Sequence, residues 1–196
     1  NSFSLSVKKI LNFEDKTAFL IYNKKFDKFD LKNLEIYTQS GNIVKNLESR
    51  KINLPDYFTL QRNGGVKTII SIEDQKIALI SANVKNCYFA ALISIKDKKE
   101  LFKTKCLPEL PKNNDFNGLG SSNVHYGNKV LLSLGTPEKH ASKNSSLAQK
   151  EESKFGKILE IDKLELIDKI NDMSKKLSLN VFSKGHRVPQ GLTILN

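Results

Sequence analysis

The 196-residue sequence is poor in cysteine and has no long apolar run, and each scarcity excludes a class of protein. Two cysteines, Cys87 and Cys106, are too few for a disulfide-based scaffold and lack the spacing of zinc ligands. No apolar stretch approaches the roughly 18–20 residues that span a bilayer. The first residues show no basic segment followed by an apolar one, so no signal peptide is visible. The sequence therefore predicts a globular chain, 1–196, without a transmembrane segment.

Arginine is also scarce, which argues against nucleic-acid binding despite a net charge of +11. Only Arg50, Arg62 and Arg187 are arginines among 32 basic residues. Arginine is the preferred bidentate reader of phosphate and guanine, and the lysines are scattered rather than blocked. We therefore predict no nucleic-acid partner and interpret the lysines as a solvated surface, with weak attraction to acidic polysaccharide or membrane surfaces as the alternative.

Short β-branched and aromatic segments separated by polar turns dominate the chain up to residue 136. This pattern predicts an antiparallel all-β architecture rather than βαβ units. The predicted strands are 4–11, 17–22, 34–38, 67–72, 76–82, 88–95, 100–107, 123–126 and 129–134.

A weak repeat lies within this series. Segments 65–81 and 120–134 each open with Gly and continue as strand, short turn and strand, and aligning Lys76 with Lys129 gives an offset of 129 − 76 = 53 residues. A further start of the same kind appears at 191–195. Repeats of roughly 40–50 residues are typical of four-stranded propeller blades.

The two cysteines fall on adjacent predicted strands, joined by a turn at 96–99. If Ile95 opposes Glu100, then Phe89 opposes Cys106, and Cys87 lies on the same face, offset by two positions. A small change of register would allow a disulfide, which suits an oxidising compartment. The alternative is two small buried residues on a sheet.

The second half of the chain changes character at a long polar connection, 136–154, of a length that is usually either functional or disordered. Strand 156–162 follows. Ile167, Ile170, Met173 and Leu177 then fall at helical spacing, which predicts a short helix over 164–177 or an irregular excursion. Segment 178–183 is predicted to be the strand that leads to the next motif.

That motif is the octapeptide at 185–192, Gly-His-Arg-Val-Pro-Gln-Gly-Leu. It matches the GHRNPQGL signature of the glucose/sorbosone dehydrogenase family at seven of eight positions. The preceding strand, Gly-Lys-Ile-Leu-Glu-Ile-Asp at 156–162, is similar to the GKILRID strand of the same family. The family consists of β-propellers that include soluble pyrroloquinoline quinone-dependent aldose sugar dehydrogenases.

The resemblance implies a fold of four-stranded antiparallel blades, of which this chain holds about three, or half of a six-bladed ring. Such a half-ring leaves edge strands and a blade face exposed. The chain is therefore expected to be part of a longer protein or to need a partner, which is either the remainder of the propeller or another copy. A Cys87–Cys106 disulfide would suit a periplasmic or extracellular location.

The resemblance further implies an oxidoreductase that oxidises a sugar hydroxyl and transfers hydride to the quinone. Arg187 would anchor the quinone through paired hydrogen bonds, and Gln190 would support the loop. An Arg that braces carbonyl groups between blades is the alternative. His186 is expected to pack against its neighbours or to support the residues around the ligand, rather than to take part in catalysis. Calcium is implied too, but its ligands follow the octapeptide in the family, so no metal ligand is assigned here.

Two departures from the family pattern bear on catalysis. Val188 stands where the family has an Asn that reaches the quinone, and Asn117 falls where the family has its general-base His. An amide cannot accept a hydroxyl proton near neutral pH, and neither His125 nor His140 matches the base position. No catalytic residue is therefore assigned with certainty, and the alternative function is a non-catalytic propeller that binds a carbohydrate or a protein partner.

Overall fold

The structure, a computed structural model, describes residues 18–21, 35–45, 48–108, 116, 118–137 and 144–195. These residues form three antiparallel sheets of four strands each, and in every sheet the strands are neighbours in sequence order. The prediction of an all-β antiparallel architecture is confirmed. Within the described part of the chain, no helix combines the length and the apolar character needed to cross a membrane.

The first sheet contains two strands that the sequence did not predict. Its strands are β1 (Ala18–Ile21), β2 (Glu35–Thr38), β3 (Asn42–Lys45) and β4 (Glu48–Lys51). Strand β4 is polar and charged, and β3 has only the adjacent pair Ile43 and Val44 as apolar residues, so neither shows the alternating pattern of a half-buried strand. The predicted strand at 4–11 lies outside the described residues.

The second sheet is the most apolar of the three. Its strands are β5 (Val66–Ile72), β6 (Gln75–Val84), β7 (Cys87–Ser94) and β8 (Glu100–Lys103). The run Ile77-Ala78-Leu79-Ile80 in β6 is buried throughout, because this sheet is covered on both faces. One face packs on the first sheet and the other on the third.

The third sheet consists of β9 (Asn123–Tyr126), β10 (Lys129–Leu134), β11 (Lys157–Asp162) and β12 (Asn180–Lys184). Burial alternates along β11, so that Leu159 and Ile161 face the second sheet while Ile158 and Glu160 are half-exposed. Only one face of this sheet therefore contributes to the core shared with the second sheet.

The two hairpins of the predicted repeat are equivalent, but their alignment differs by one residue from the prediction. Ile72 pairs with Gln75 around one two-residue turn, and Tyr126 pairs with Lys129 around the other. The structural offset is therefore 129 − 75 = 54 residues rather than 53.

The two cysteines form a disulfide, with their Cα atoms 5.2 Å apart. The predicted register was wrong, because Glu100 pairs with Ile93 rather than with Ile95, and a bulge interrupts the β7–β8 ladder between Leu92 and Ile93. This shift brings Cys106 beside Cys87.

A single helix of the described chain, α1 (Lys163–Asn171), follows β11 without a loop. The Asp162 side chain accepts hydrogen bonds from Leu164 N at 2.8 Å and Glu165 N at 3.2 Å, which caps the helix. Leu166 and Ile170 are buried in the core between the second and third sheets.

The helix is shorter than the predicted 164–177. It ends at Asn171 because Asp172 Oδ1 accepts hydrogen bonds from Ser174 N at 2.9 Å and Ser174 Oγ at 2.7 Å, a local arrangement that competes with helix. Met173, predicted to lie on the apolar stripe, is 38% exposed.

The polar connection 136–154 is packed against the third sheet where it is described. A short 3-10 turn covers Ser145–Ala148, and Leu147 and Ala148 within it are buried. Residues 138–143 lie outside the described part.

Candidate functional site

The octapeptide forms a loop, the 185–192 loop, that leaves β12 with two backbone anchors. Gly185 has φ +91°, a left-handed conformation that favours glycine. Its N–H donates to Ala148 O at 3.0 Å and to Gly156 O at 3.1 Å, and the N–H of His186 donates to Gly156 O at 3.0 Å. The beginning of the loop is thus attached to the 3-10 turn and to the start of β11.

The middle of the loop is tied to the residues that follow β10. Arg187 O accepts from Thr136 N at 2.8 Å and from Thr136 Oγ1 at 3.3 Å. An ideal Cβ built on Gly135 would lie 2.2 Å from Gly118 O and 3.0 Å from Arg187 O, so a side chain at this position would clash. A glycine at 135 is therefore required for the loop to approach this closely.

The end of the loop lies against the residues that lead into β9. Gly120 adjoins Pro189 and Gln190, since a Cβ there would lie 3.1 Å from Pro189 O. The N–H of Leu192 donates to Ser122 Oγ at 3.3 Å. The loop therefore crosses the third sheet at the end where β9 begins and β10 ends.

The predicted site side chains differ in exposure. Arg187 and Gln190 are exposed, whereas Val188 is half-buried. Among the described residues, the Arg187 guanidinium has no hydrogen-bond or ion-pair partner, although its backbone carbonyl is held by Thr136. A fixed backbone that presents an available guanidinium can bind a carboxylate or a carbonyl oxygen of a ligand.

His186 is half-buried, and its Nε2 lies 2.7 Å from Ser183 Oγ. The hydrogen bond joins the loop to β12. His125 is exposed in β9, next to the β9–β10 turn, and is distant from the octapeptide along the chain. His140 lies outside the described residues.

Asn117, the position expected for a general base, also lies outside the described residues. Its neighbours are placed. Phe116 N donates to Arg62 O at 2.6 Å, and Gly118 O lies next to Gly135 and therefore close to the Arg187 carbonyl. The structure thus brings the flanks of this segment to the end of the sheets where the 185–192 loop lies.

A second arginine, Arg62, lies shortly before β5, the first strand of the second sheet. The Arg62 guanidinium lies 5.6 Å from the centre of the Tyr88 ring, and that ring packs against Phe116 at 5.9 Å between centroids. Arg62 has φ 54° and Asn63 φ 55°, two consecutive left-handed residues that are not glycine. Such conformations are costly and persist where the surroundings impose them.

Sequence reasoning missed one residue beneath the loop. Lys157 is completely buried, and its Nζ donates to Leu147 O at 3.0 Å, to Ala148 O at 2.8 Å and to Phe155 O at 3.2 Å. Burial lowers the pKa of this ammonium. The signal was its register, since Lys157 shares the inward face of β11 with Leu159 and Ile161.

No group of three or more His, Cys, Asp or Glu side chains in the described residues is arranged to hold a metal ion. Two carboxylates in and beside α1 have local structural partners. Asp162 caps α1, and Glu165 Oε2 accepts from Ser178 N at 2.8 Å.

Comparison of the chain with protein-family models, with curated proteins and with solved structures finds no match.

Proposed function

We propose that this chain is part of a β-propeller related to the glucose/sorbosone dehydrogenases, and that its 185–192 loop binds an anionic ligand of the pyrroloquinoline quinone type through Arg187. The observation that carries the proposal is the exposed guanidinium of Arg187, which has no partner in the described chain while its backbone is held at Thr136.

The contacts between successive sheets support the propeller. The first strands adjoin one another, β1 with β5 and β5 with β9. Asn123 of β9 donates from Nδ2 to Thr68 Oγ1 and to Ile69 O of β5, both at 2.9 Å. Antiparallel sheets that meet along their first strands are typical of blades around an axis.

The backbone contacts between the start of one sheet and the preceding sheet support the proposed position of the 185–192 loop. Val66, the first residue of the second sheet, donates its N–H to Gln39 O at 3.0 Å, just after β2 of the first sheet. Thr136, just after β10 of the third sheet, donates its N–H to Arg187 O. The 185–192 loop thus has the contacts expected of a segment that opens a following blade.

The residues present fit the quinone in part. A guanidinium pairs well with the quinone's carboxylates, and Gln190 is exposed and has an amide that can support a polar ligand. Val188 provides no hydrogen bond. When bound, the quinone would supply the hydride acceptor for oxidation of a sugar hydroxyl, and Arg187 would hold and orient it.

Turnover also needs a group that takes the proton from the sugar hydroxyl. The sequence has Asn117 where the family has His, and an amide is not a base at neutral pH. This departure, together with Val188, favours a second candidate function, in which the propeller binds a carbohydrate or protein partner without oxidising it.

The disulfide supports an exported location. Cys87 and Cys106 are joined, and such bonds persist mainly in oxidising compartments. A periplasmic or extracellular protein is therefore part of the proposal.

The test is titration of the protein with pyrroloquinoline quinone, with and without calcium, followed by absorbance and melting temperature. We expect Arg187→Ala to weaken binding roughly tenfold to a hundredfold, the value of a charge-assisted hydrogen bond. Lys105→Ala removes another exposed cation, far from the loop in sequence, and is the matched control. Absence of binding to the unmodified protein would overturn the proposal.

An assay of dye reduction with several aldoses separates the two candidates. Reduction by the quinone-loaded protein supports the dehydrogenase. Quinone binding without reduction supports the non-catalytic protein, and the double variant Asn117→His, Val188→Asn then tests whether these two positions account for the missing activity.

A further inference from the structure

The Lys157 ammonium is a buried charge that no carboxylate of the described chain contacts. Its three hydrogen bonds all go to backbone carbonyls, at 2.8 to 3.2 Å. Taking an ammonium out of water is costly unless every N–H is satisfied. Three carbonyl acceptors match the three donors of an ammonium, so Lys157 is satisfied only while the 3-10 turn at Ser145–Ala148 stays in place.

One of those carbonyls is shared with the 185–192 loop. Ala148 O accepts from Lys157 Nζ at 2.8 Å and from Gly185 N at 3.0 Å. The same turn is fitted closely to the start of β11, because a Cβ built on Gly156 would lie 2.4 Å from the Cα of Ala148. Gly156 O in turn accepts from the N–H groups of Gly185 and His186.

We propose that Lys157 is a positioning residue for Arg187: by fixing the Ala148 carbonyl, its ammonium holds the backbone of Gly185 and His186 and so sets the place from which the Arg187 guanidinium reaches a ligand. Lys157 itself is completely buried and is therefore not accessible to a ligand at the surface. The ligand-binding consequence rests on the proposed function, whereas the effect on the loop backbone does not.

The direct test is amide hydrogen exchange in Lys157→Met, which keeps the length of the side chain and removes its donors. We expect the amides of Gly185 and His186 to exchange roughly tenfold faster or more, because Ala148 O and its turn lose a charged hydrogen bond. Amides of the β6–β7 ladder should exchange as in the unmodified protein.

Lys154→Met is the matched control. Lys154 Nζ also donates to a carbonyl, Leu179 O, at 2.6 Å, but has no hydrogen bond to the 3-10 turn or to the 185–192 loop. Its substitution should leave exchange at Gly185 and His186 unchanged. Equal exchange at these two amides in Lys157→Met and the unmodified protein would overturn the proposal.

Lys157→Gln, which retains two N–H donors on a shorter side chain, serves as a second variant if Lys157→Met does not fold. If both Lys157 variants were globally unfolded while Lys154→Met remained folded, Lys157 would support the whole third sheet rather than the loop, and the proposal would be wrong.

Quinone titration then separates the two proposals. Faster exchange at Gly185 and His186 with weaker quinone binding in Lys157→Met supports both. Faster exchange in a protein that never binds quinone supports the positioning role and overturns the proposed function. Unchanged exchange overturns the positioning role, whatever the quinone does.

Discussion

The second and third sheets share one core but differ in how they are covered, and the difference explains their sequences. In the second sheet, Leu79 and Ile80 are adjacent and both fully buried, one facing the third sheet and the other the first. In the third sheet, Leu159 is fully buried and its neighbour Ile158 is half-exposed. Continuous burial along β6 therefore marks a strand covered on both faces, and alternation along β11 marks a strand covered on one face.

The two sheets are also stabilised by different kinds of contact. The second sheet has a disulfide that ties the chain after β8 to β7. The third sheet has no disulfide in its described residues and instead surrounds the Lys157 ammonium with carbonyl groups. Its edge strand β12 exposes Phe182 by 56%. Polar contacts thus replace a covalent bond in the sheet that carries the candidate site.

The largest expected effect compares adjacent core positions. Leu79→Ala and Ile80→Ala should each lower the free energy of unfolding by about 2–5 kcal/mol, because each leaves a cavity in a covered face. In the third sheet Leu159→Ala should cost a similar amount, whereas Ile158→Ala should cost about 1 kcal/mol or less. Urea unfolding measures all four, and equal losses at 158 and 159 would show that the outer face of the third sheet is covered as well.

The next effect concerns the disulfide. Replacing Cys87 and Cys106 by Ala should lower the free energy of unfolding by about 2–4 kcal/mol, since the bond closes a loop with a sequence separation of 19. Reduction of the unmodified protein should reproduce this loss and leave the double variant unaffected. If a reductant destabilised both proteins equally, its effect would not come from the Cys87–Cys106 disulfide, and this prediction would be wrong.

The smallest effect is a pH dependence on the face between the first and second sheets. Tyr57 Oη donates to Glu100 Oε2 at 2.7 Å, and burial, followed by this hydrogen bond, raises the pKa of Tyr57 well above its usual value of 10.0. Tyr57 therefore ionises at a lower pH in the unfolded chain than in the folded protein. As a result, the stability that Tyr57 contributes is lost as the pH rises through about 10.

By about pH 11 this loss should reach at most about 1 kcal/mol, after allowance for solvent screening. The Tyr57→Phe variant should lack this loss of stability. The contribution of Lys157, whose pKa is also shifted, is the same in both proteins and therefore cancels when they are compared. Parallel urea midpoints of the two proteins between about pH 9 and pH 11 would contradict the role given to Tyr57.

Most strands were predictable because the pattern of apolar residues in the sequence agrees with the burial of those residues in the structure. The hairpin β9–β10 matches the predicted bounds, 123–126 and 129–134, since its apolar and β-branched segments flank a Gly-Asn turn. Strands β3 and β4 were missed because they read Asn-Ile-Val-Lys and Glu-Ser-Arg-Lys, and pairing with a neighbour rather than apolar pattern makes them strands.

The details of the site depended on contacts that sequence patterns do not encode. The β7–β8 register was wrong because a bulge cannot be read from alternation. The octapeptide was recognisable, but its ties to Thr136, Gly120 and Ala148 join residues far apart in the chain. Lys157 was counted among the solvated lysines, and only its register beside Leu159 set it apart.

The helix that follows Asp162 has a mechanical consequence. At one side of the interface between the second and third sheets, Asn123 binds β5; at another, α1 packs on β8 and Lys99 Nζ donates to Ile170 O at 3.0 Å. Two sheets joined at separate places cannot open about either one as a hinge. The angle between the two sheets is therefore fixed by contacts at both of these places.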